Sequence, residues 1–200
     1  MKQVLAFFGA FNPPTMAHVM MAQKAFQETG KEGVIFVPSK MTYISGEQGK
    51  NYAFGDMQRL SMLTRIKATR PWIEVCDYEL LADHQPRTYE TLCFLRDEGY
   101  EPSLLCGADK LEEMETVWKY ADRIAQEFGI VCMERSGQDV RKMIRESGFL
   151  RNLSACITVV GSEQKYQDVS SSQVREILFR IAQLKHQLNE LVPEEIIDLL

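Results

Sequence analysis

Two short segments of this 200-residue chain carry the residues best suited to handle an anion. The first is Gly-Ala-Phe-Asn-Pro-Pro-Thr-Met-Ala-His, residues 9–18. Gly9 closes an apolar run and lets a ligand approach the backbone closely. Thr15 stands just before an amphipathic stretch, where its hydroxyl is suited to cap a helix whose free N–H groups face an anion. His18 then falls in the first helical turn. There the helix dipole favours the neutral ring, whereas a bound polyphosphate favours the cation. Taken alone, His18 reads either as a phosphate donor or as a half-buried residue satisfied by the fold.

The second segment is Val-Ser-Ser-Ser-Gln-Val-Arg, residues 169–175. Ser170, Ser171 and Ser172 precede an apolar pattern at Val174, Ile177, Leu178 and Ile181. Serines at a helix start leave N–H groups and hydroxyls pointing outward as an anion nest. Arg175, one turn on, can aim its guanidinium at the same anion. The plainer reading of the segment is a serine cap followed by a solvated arginine. The chain has no Gly-x-x-x-x-Gly-Lys-Ser/Thr phosphate loop. Residues 46–51, Gly-Glu-Gln-Gly-Lys-Asn, have the wrong spacing and no strand–helix context. No His-Glu-x-x-His, Gly-x-Ser-x-Gly or Cys/His pair is present either.

The elements that must hold these residues alternate regularly. Apolar runs at 4–9, 33–38, 72–75, 103–107, 129–133 and 156–160 read as strands. Helices are predicted at 16–30, 56–68, 88–99, within 109–127, near 138–147 and from 170 onward, with Pro193 opening a final short one. Residues 39–55 are too long for a tight connection and form a candidate binding loop. Near-continuous apolar strands alternating with helices predict a doubly wound α/β fold, a parallel sheet covered on both faces. The expected organisation is one domain, an α/β core over 1–168 with a C-terminal helical extension over 169–200. Ligands in such sheets sit beyond the carboxyl ends of the strands. Both anion-suited segments follow strands, as do Gly-Ala-Asp-Lys at 107–110 and Glu-Arg-Ser-Gly at 134–137.

Composition narrows the class. A net charge of −5 argues against a broad nucleic-acid-binding face. No stretch of about 18 apolar residues exists to span a membrane. Lys2 is followed by only a short apolar run, so no signal peptide is expected. Cys76, Cys93, Cys106, Cys132 and Cys156 form no pair at redox or zinc spacing and read as buried, reduced thiols of a cytoplasmic protein. Homo-oligomerisation is left open.

Together, the two anion-suited segments resemble the nucleotidyltransferase superfamily of the T/H-x-x-H type. Within it, the chain looks most like nicotinamide/nicotinate mononucleotide adenylyltransferases. Residues 107–135 are similar to that family's Gly-Ala-Asp block, its tryptophan and its Phe-Gly-Ile-Val strand. Pro-Trp-Ile-Glu-Val-Cys-Asp-Tyr-Glu, residues 71–79, is similar to a segment with another tryptophan and an acidic pair. Thr15 replaces the first histidine of bacterial-type members, Ala17 a glycine, and Ser172 a threonine.

The resemblance implies a Rossmann-like fold and adenylyl transfer from ATP to a pyridine mononucleotide. The acceptor's own phosphate is the nucleophile, which accounts for the lack of a protein nucleophile. It implies catalytic roles for His18, Thr15 and Arg175, with Ser171 and Ser172 on the β- and γ-phosphates. Gly9, Phe11, Gly107, Asp109 and Arg135 are implied on the rest of ATP, with Gly107 and Asp109 at the ribose and Arg135 near the adenosine. Trp72 and Trp118 are implied beside the pyridine, and Lys50 at phosphate, with Lys40 competing. Mg²⁺ is expected on the triphosphate, with no protein metal cage. A different phosphorylated acceptor and a catalytically silent nucleotide-binding relative are the alternatives. Retention of His18 and Arg175 argues against the second. Glycerol-phosphate and choline-phosphate cytidylyltransferases carry an Arg-Thr-Glu-Gly-Ile-Ser-Thr-Thr block that is absent from this chain.

Overall fold

The computed structural model describes residues 1–46, 54–134, 138–161 and 169–191. Six strands form one parallel sheet: β1 (Lys2–Gly9), β2 (Gly33–Pro38), β3 (Ile73–Val75), β4 (Tyr100–Gly107), β5 (Ile130–Met133) and β6 (Ile157–Val160). Their order is β3-β2-β1-β4-β5-β6, the doubly wound topology expected from the alternating pattern.

Alternate residues along each strand serve opposite faces. On one face Leu5, Phe7, Val34, Phe36, Leu105 and Val131 pack with Ala22 and Ala25 of α1 (Met16–Thr29) and Leu63 of α3 (Asp56–Ala68). On the other, Val4, Ala6, Ile35, Val37, Leu104, Cys106, Ile130 and Cys132 meet α5 (Thr88–Asp97), α6 (Ala108–Val117) and α7 (Ala121–Phe128). Both faces are covered, so the strands read as nearly continuous apolar runs.

The chain changes sides of the sheet between β1 and β4. Their register ends with Phe7 opposite Leu105, and Gly9 and Gly107 close the two strands two residues further on. Two glycines therefore end neighbouring strands at the switch point, where a crevice opens.

Several boundaries differ from the sequence reading. The helical region 109–127 is two helices. Thr116, Val117 and Trp118 are weak helix formers, and Trp118 leaves α6 in extended backbone (φ −91°, ψ 119°). Tyr120 takes a left-handed φ of 66° before α7. The loop after β2 opens with a short helix, α2 (Met41–Gly46), and another, α4 (Tyr78–Leu81), follows β3. The predicted helix near 138–147 is α8 (Val140–Glu146), followed at once by α9 (Gly148–Asn152). In α10 (Ser171–Leu191), Ile177, Leu178 and Ile181 are exposed rather than packed on the body. The short helix expected after Pro193 lies outside the described residues.

One buried acid ties the exits of β2 and β3 together. Glu79 is 2% exposed and accepts from Thr91 Oγ1 (3.0 Å) and Gln85 Nε2 (2.5 Å). The Gln85 Oε1 in turn accepts the Lys40 amide proton (2.9 Å). Burial pushes the Glu79 carboxyl up to about 7 despite the donors around it. A carboxyl whose pKa rises on folding adds stability below its ordinary pKa of 4.5 and loses it as pH climbs through about 7. Between pH 4.5 and 8, wild-type stability is therefore expected to fall relative to Glu79→Gln, by up to about 3 kcal/mol. Urea unfolding of both proteins across that range checks this, and parallel pH profiles would contradict it.

Candidate active site

The turn leaving β1 is shaped by its aromatic residue. Phe11 has φ 45°, the left-handed region that a bulky side chain rarely enters, and is 1% exposed. Its ring folds back over Gly9, where an added Cβ would lie 3.0 Å from the ring. It packs 5.3 Å from Phe7, 5.2 Å from Phe36 and 5.2 Å from His18 between centroids. The Phe11 side chain is thus taken up by the fold, which leaves only its backbone to meet the expected ATP. Phe11 is the floor beneath the His18 ring, which meets it edge to face at 75°.

Thr15 is the N-cap of α1, and His18 stands three residues on. The Thr15 amide donates to His18 Nδ1 at 3.0 Å, and the Thr15 hydroxyl lies 2.8 Å from the same nitrogen. A backbone N–H can only donate, so Nδ1 is the acceptor and the neutral ring carries its proton on Nε2. His18 thus does for this cap what glutamate or glutamine does in a capping box. The structural reading of His18 thus has a definite basis: Nδ1 serves the helix cap.

The start of α10 meets this turn directly. Ser170 and Gln173 form their own capping box, Ser170 N to Gln173 Oε1 at 2.7 Å and Gln173 N to Ser170 Oγ at 3.2 Å. Capping therefore does not occupy the next two serines. Ser171 Oγ donates to the Pro13 carbonyl at 2.8 Å. Arg175 donates from Nη1 to the Asn12 carbonyl at 2.7 Å and from Nη2 to Ser172 Oγ at 3.0 Å. The two anion-suited segments share one edge in space.

Across the crevice, Gly107 is the N-cap of α6, and an added Cβ there would lie 2.6 Å from Asp109 Oδ1. Only glycine lets that carboxylate fold back so far. Met21 of α1 is the next neighbour at 3.9 Å, which brings the β4 exit beside α1.

Other expected residues lie elsewhere. Trp72 stacks on Phe26 (5.3 Å, 15°), and its carbonyl accepts the Val34 amide at the start of β2. In a parallel sheet the residue before a strand lies at the amino edge. Trp72 thus packs on Phe26 at the amino edge of the sheet, the end away from His18 and from the acceptor place expected for it. Trp118 is half-buried against the core of the α5–α7 face. Two residues on, Tyr120 lies 5.3 Å from Tyr89 in the first turn of α5, on the carboxyl side of the sheet. The Lys40 ammonium donates to the Ala82 carbonyl. Lys50 and Arg135 lie outside the described residues. The sequence reading missed Arg59, whose guanidinium is fully buried between the exits of β1 and β2. The available signal was an arginine on the apolar stripe of α3, four residues before Leu63.

The chain belongs to the cytidylyltransferase-like family, which it matches over residues 6–177. Among curated relatives it is 29% identical to a nicotinamide/nicotinic acid mononucleotide adenylyltransferase of Oryza sativa subsp. japonica, covering 97% of this chain and 82% of that protein. It is also 29% identical to a probable nicotinate-nucleotide adenylyltransferase of Carboxydothermus hydrogenoformans, covering 96% and 92%. Among solved structures, Plasmodium falciparum nicotinic acid mononucleotide adenylyltransferase complexed with APC has the same fold. Its TM-score is 0.67 at 16% identity, covering 88% of this chain and 83% of that one.

The double duty of His18 has a measurable consequence. His18→Ala removes the acceptor of the Thr15 amide and is expected to cost about 1 kcal/mol of stability. His18→Gln keeps an acceptor at the same cap position and is expected to restore most of it. Thermal unfolding of the two variants checks this. Equal losses in both would place the Thr15 amide elsewhere.

Proposed function

We propose that this chain is a nucleotidyltransferase that moves the adenylyl group of ATP onto nicotinate or nicotinamide mononucleotide. An oxygen of the acceptor's 5′-phosphate attacks the α-phosphorus in line. The bond to the bridging oxygen breaks, and pyrophosphate leaves with the electron pair. The observation that carries this reading is the meeting of His18, at the start of α1, with Ser171, Ser172 and Arg175, at the start of α10, around one turn at the switch point. The near full-length kinship with proteins named for this reaction supports the acceptor.

The chemistry needs no protein nucleophile, only positioning and charge stabilisation. His18 Nε2–H donates to the phosphates as charge develops, with Thr15 fixing its tautomer. Arg175 presents a planar fork to the β- and γ-phosphates beside Ser171 and Ser172. Gly9, with the Phe11 ring folded over it, closes β1 at the edge that faces ATP. Gly107 and Asp109 lie against the ribose, and Arg135 is near the adenosine. Trp118 stacks on the pyridine ring, and a loop lysine, Lys50 or Lys40, meets the acceptor phosphate. Mg²⁺ arrives as part of the substrate, on the triphosphate and largely water-coordinated.

Pyrophosphate release from ATP with each mononucleotide tests the reading. Both are expected to react. Reaction only with another phosphorylated acceptor would reduce the assignment to its superfamily, and no reaction with any acceptor would favour a nucleotide-binding module. His18→Ala and His18→Gln are both expected to lower kcat by about 10²–10³-fold, the range for one lost preorganised donor. Arg175→Ala is expected to weaken ATP far more than AMP, and equal losses would put Arg175 away from the β- and γ-phosphates.

The tryptophans separate by location. Trp118→Ala is expected to cost about 1–3 kcal/mol of acceptor binding, roughly 5- to 150-fold in affinity, while ATP binding barely changes. Trp72→Ala is expected to lower the melting temperature and leave acceptor affinity unchanged. Calorimetric titrations of both variants decide the matter.

A further inference from the structure

We propose that Arg59 is a positioning residue of the reaction: it sets the direction of the His18 imidazole without touching a substrate. The kinetic part of this inference rests on the adenylyl-transfer reading, and the structural part does not.

The guanidinium is 0% exposed. Nη1 donates to the Ala10 carbonyl at 2.5 Å, and Nη2 to the Ser39 carbonyl at 2.6 Å. These carbonyls belong to the first residues beyond the last β1–β2 ladder pair, Gly9 and Pro38. Past that pair the sheet offers them no partner. Asp56 completes the arrangement, pairing with Arg59 Nη2 and accepting the Met41 amide at 2.8 Å. One planar fork thus joins the exits of β1 and β2 and the start of α2. An ammonium, a compact point charge, cannot reproduce the fork's two fixed directions.

The consequence runs along the backbone. The Ala10 carbonyl fixes the peptide plane from which the φ of Phe11 is measured. That φ is 45°, a conformation a phenylalanine keeps only when its surroundings hold it. The Phe11 ring is the surface on which the His18 ring rests, 5.2 Å away. A released Ala10 carbonyl lets Phe11 relax toward negative φ, and His18 loses its support. The burial of a full charge on an otherwise apolar stripe of α3 fits a requirement for direction, since a buried ion pair is weak support for stability by itself.

The test is a double-mutant cycle of Arg59→Lys with His18→Ala, assayed well below the melting temperature of each variant. Arg59→Lys alone is expected to lower kcat by about 10- to 100-fold, the scale of a displacement near 1 Å, with little change in KM for ATP. Added to His18→Ala, it is expected to cost almost nothing further, because it acts through the missing ring. Equal loss in both backgrounds, or unchanged kcat, overturns the proposal. If Arg59→Lys fails to fold, Asp56→Asn enters the same cycle, since it loosens the guanidinium while keeping an acceptor for Met41. The second readout is the ¹⁵N spectrum of the His18 ring, assigned with His18→Ala. One tautomer is expected in the wild type and a mixture in Arg59→Lys. An unchanged ring spectrum overturns the coupling. A wild type that adenylylates neither mononucleotide defeats the functional reading and leaves the spectroscopic result to stand on its own.

Discussion

The amide proton of Thr15 has one destination, Nδ1 of His18, and this direction cannot be reversed because a backbone N–H never accepts. From it follow the tautomer of the imidazole, the start of α1 and the orientation of the ring over Phe11. A histidine in a solvated helix turn exchanges between tautomers and rotamers. This one is held by a donor on one ring nitrogen and by an aromatic edge beneath. The same bond therefore satisfies a helix end and prepares a hydrogen-bond donor, which is why the structural and chemical readings of His18 do not compete.

The turn before it has an unusual dependence on distant parts of the chain. Pro13 and Pro14 have no N–H, so the segment can make few bonds of its own. Its carbonyls are taken up from outside: Ala10 by Arg59 of α3, Asn12 by Arg175 and Pro13 by Ser171 of α10. The shape of the edge proposed to hold the anion is thus a tertiary property. Two of its three supports are arginines, one paired with Asp56 and one, Arg175, at the edge where a polyphosphate is proposed. The glycines ending β1 and β4 leave room for the Phe11 ring and the Asp109 carboxylate.

Much of this was legible in the residues themselves. Strands buried on both faces leave apolar runs, and helices covering one face leave a 3.6-residue stripe, so the order of elements could be read directly. The two site segments stood out because small, hydroxylic and basic residues followed strands. The less legible features were those set by contacts between distant residues. Phe11 looked like part of a ligand motif, yet its left-handed backbone turns the ring inward. Trp72 resembled a pyridine-stacking residue, but its place ahead of β3 sets it at the amino edge. Arg59 interrupted an apolar stripe, and beyond Asp56 on its own helix the carbonyls it serves lie 49 and 20 residues away. Glu79 is buried although Asp77, two residues earlier, is exposed, and the sequence does not separate them.

The bonds from Ser171 to Pro13 and from Arg175 to Asn12 span 158 and 163 residues. They clasp the beginning of the chain to a helix near its end. During synthesis the first segment leaves the ribosome long before its partner exists. At 5–20 residues per second the wait is roughly 8 to 30 s, during which the Asn-Pro-Pro turn lacks Ser171 and Arg175. A nascent chain in that interval can fold much of its sheet and still lack a finished phosphate grip. Nucleotide capture at the proposed site therefore waits until α10 has been made.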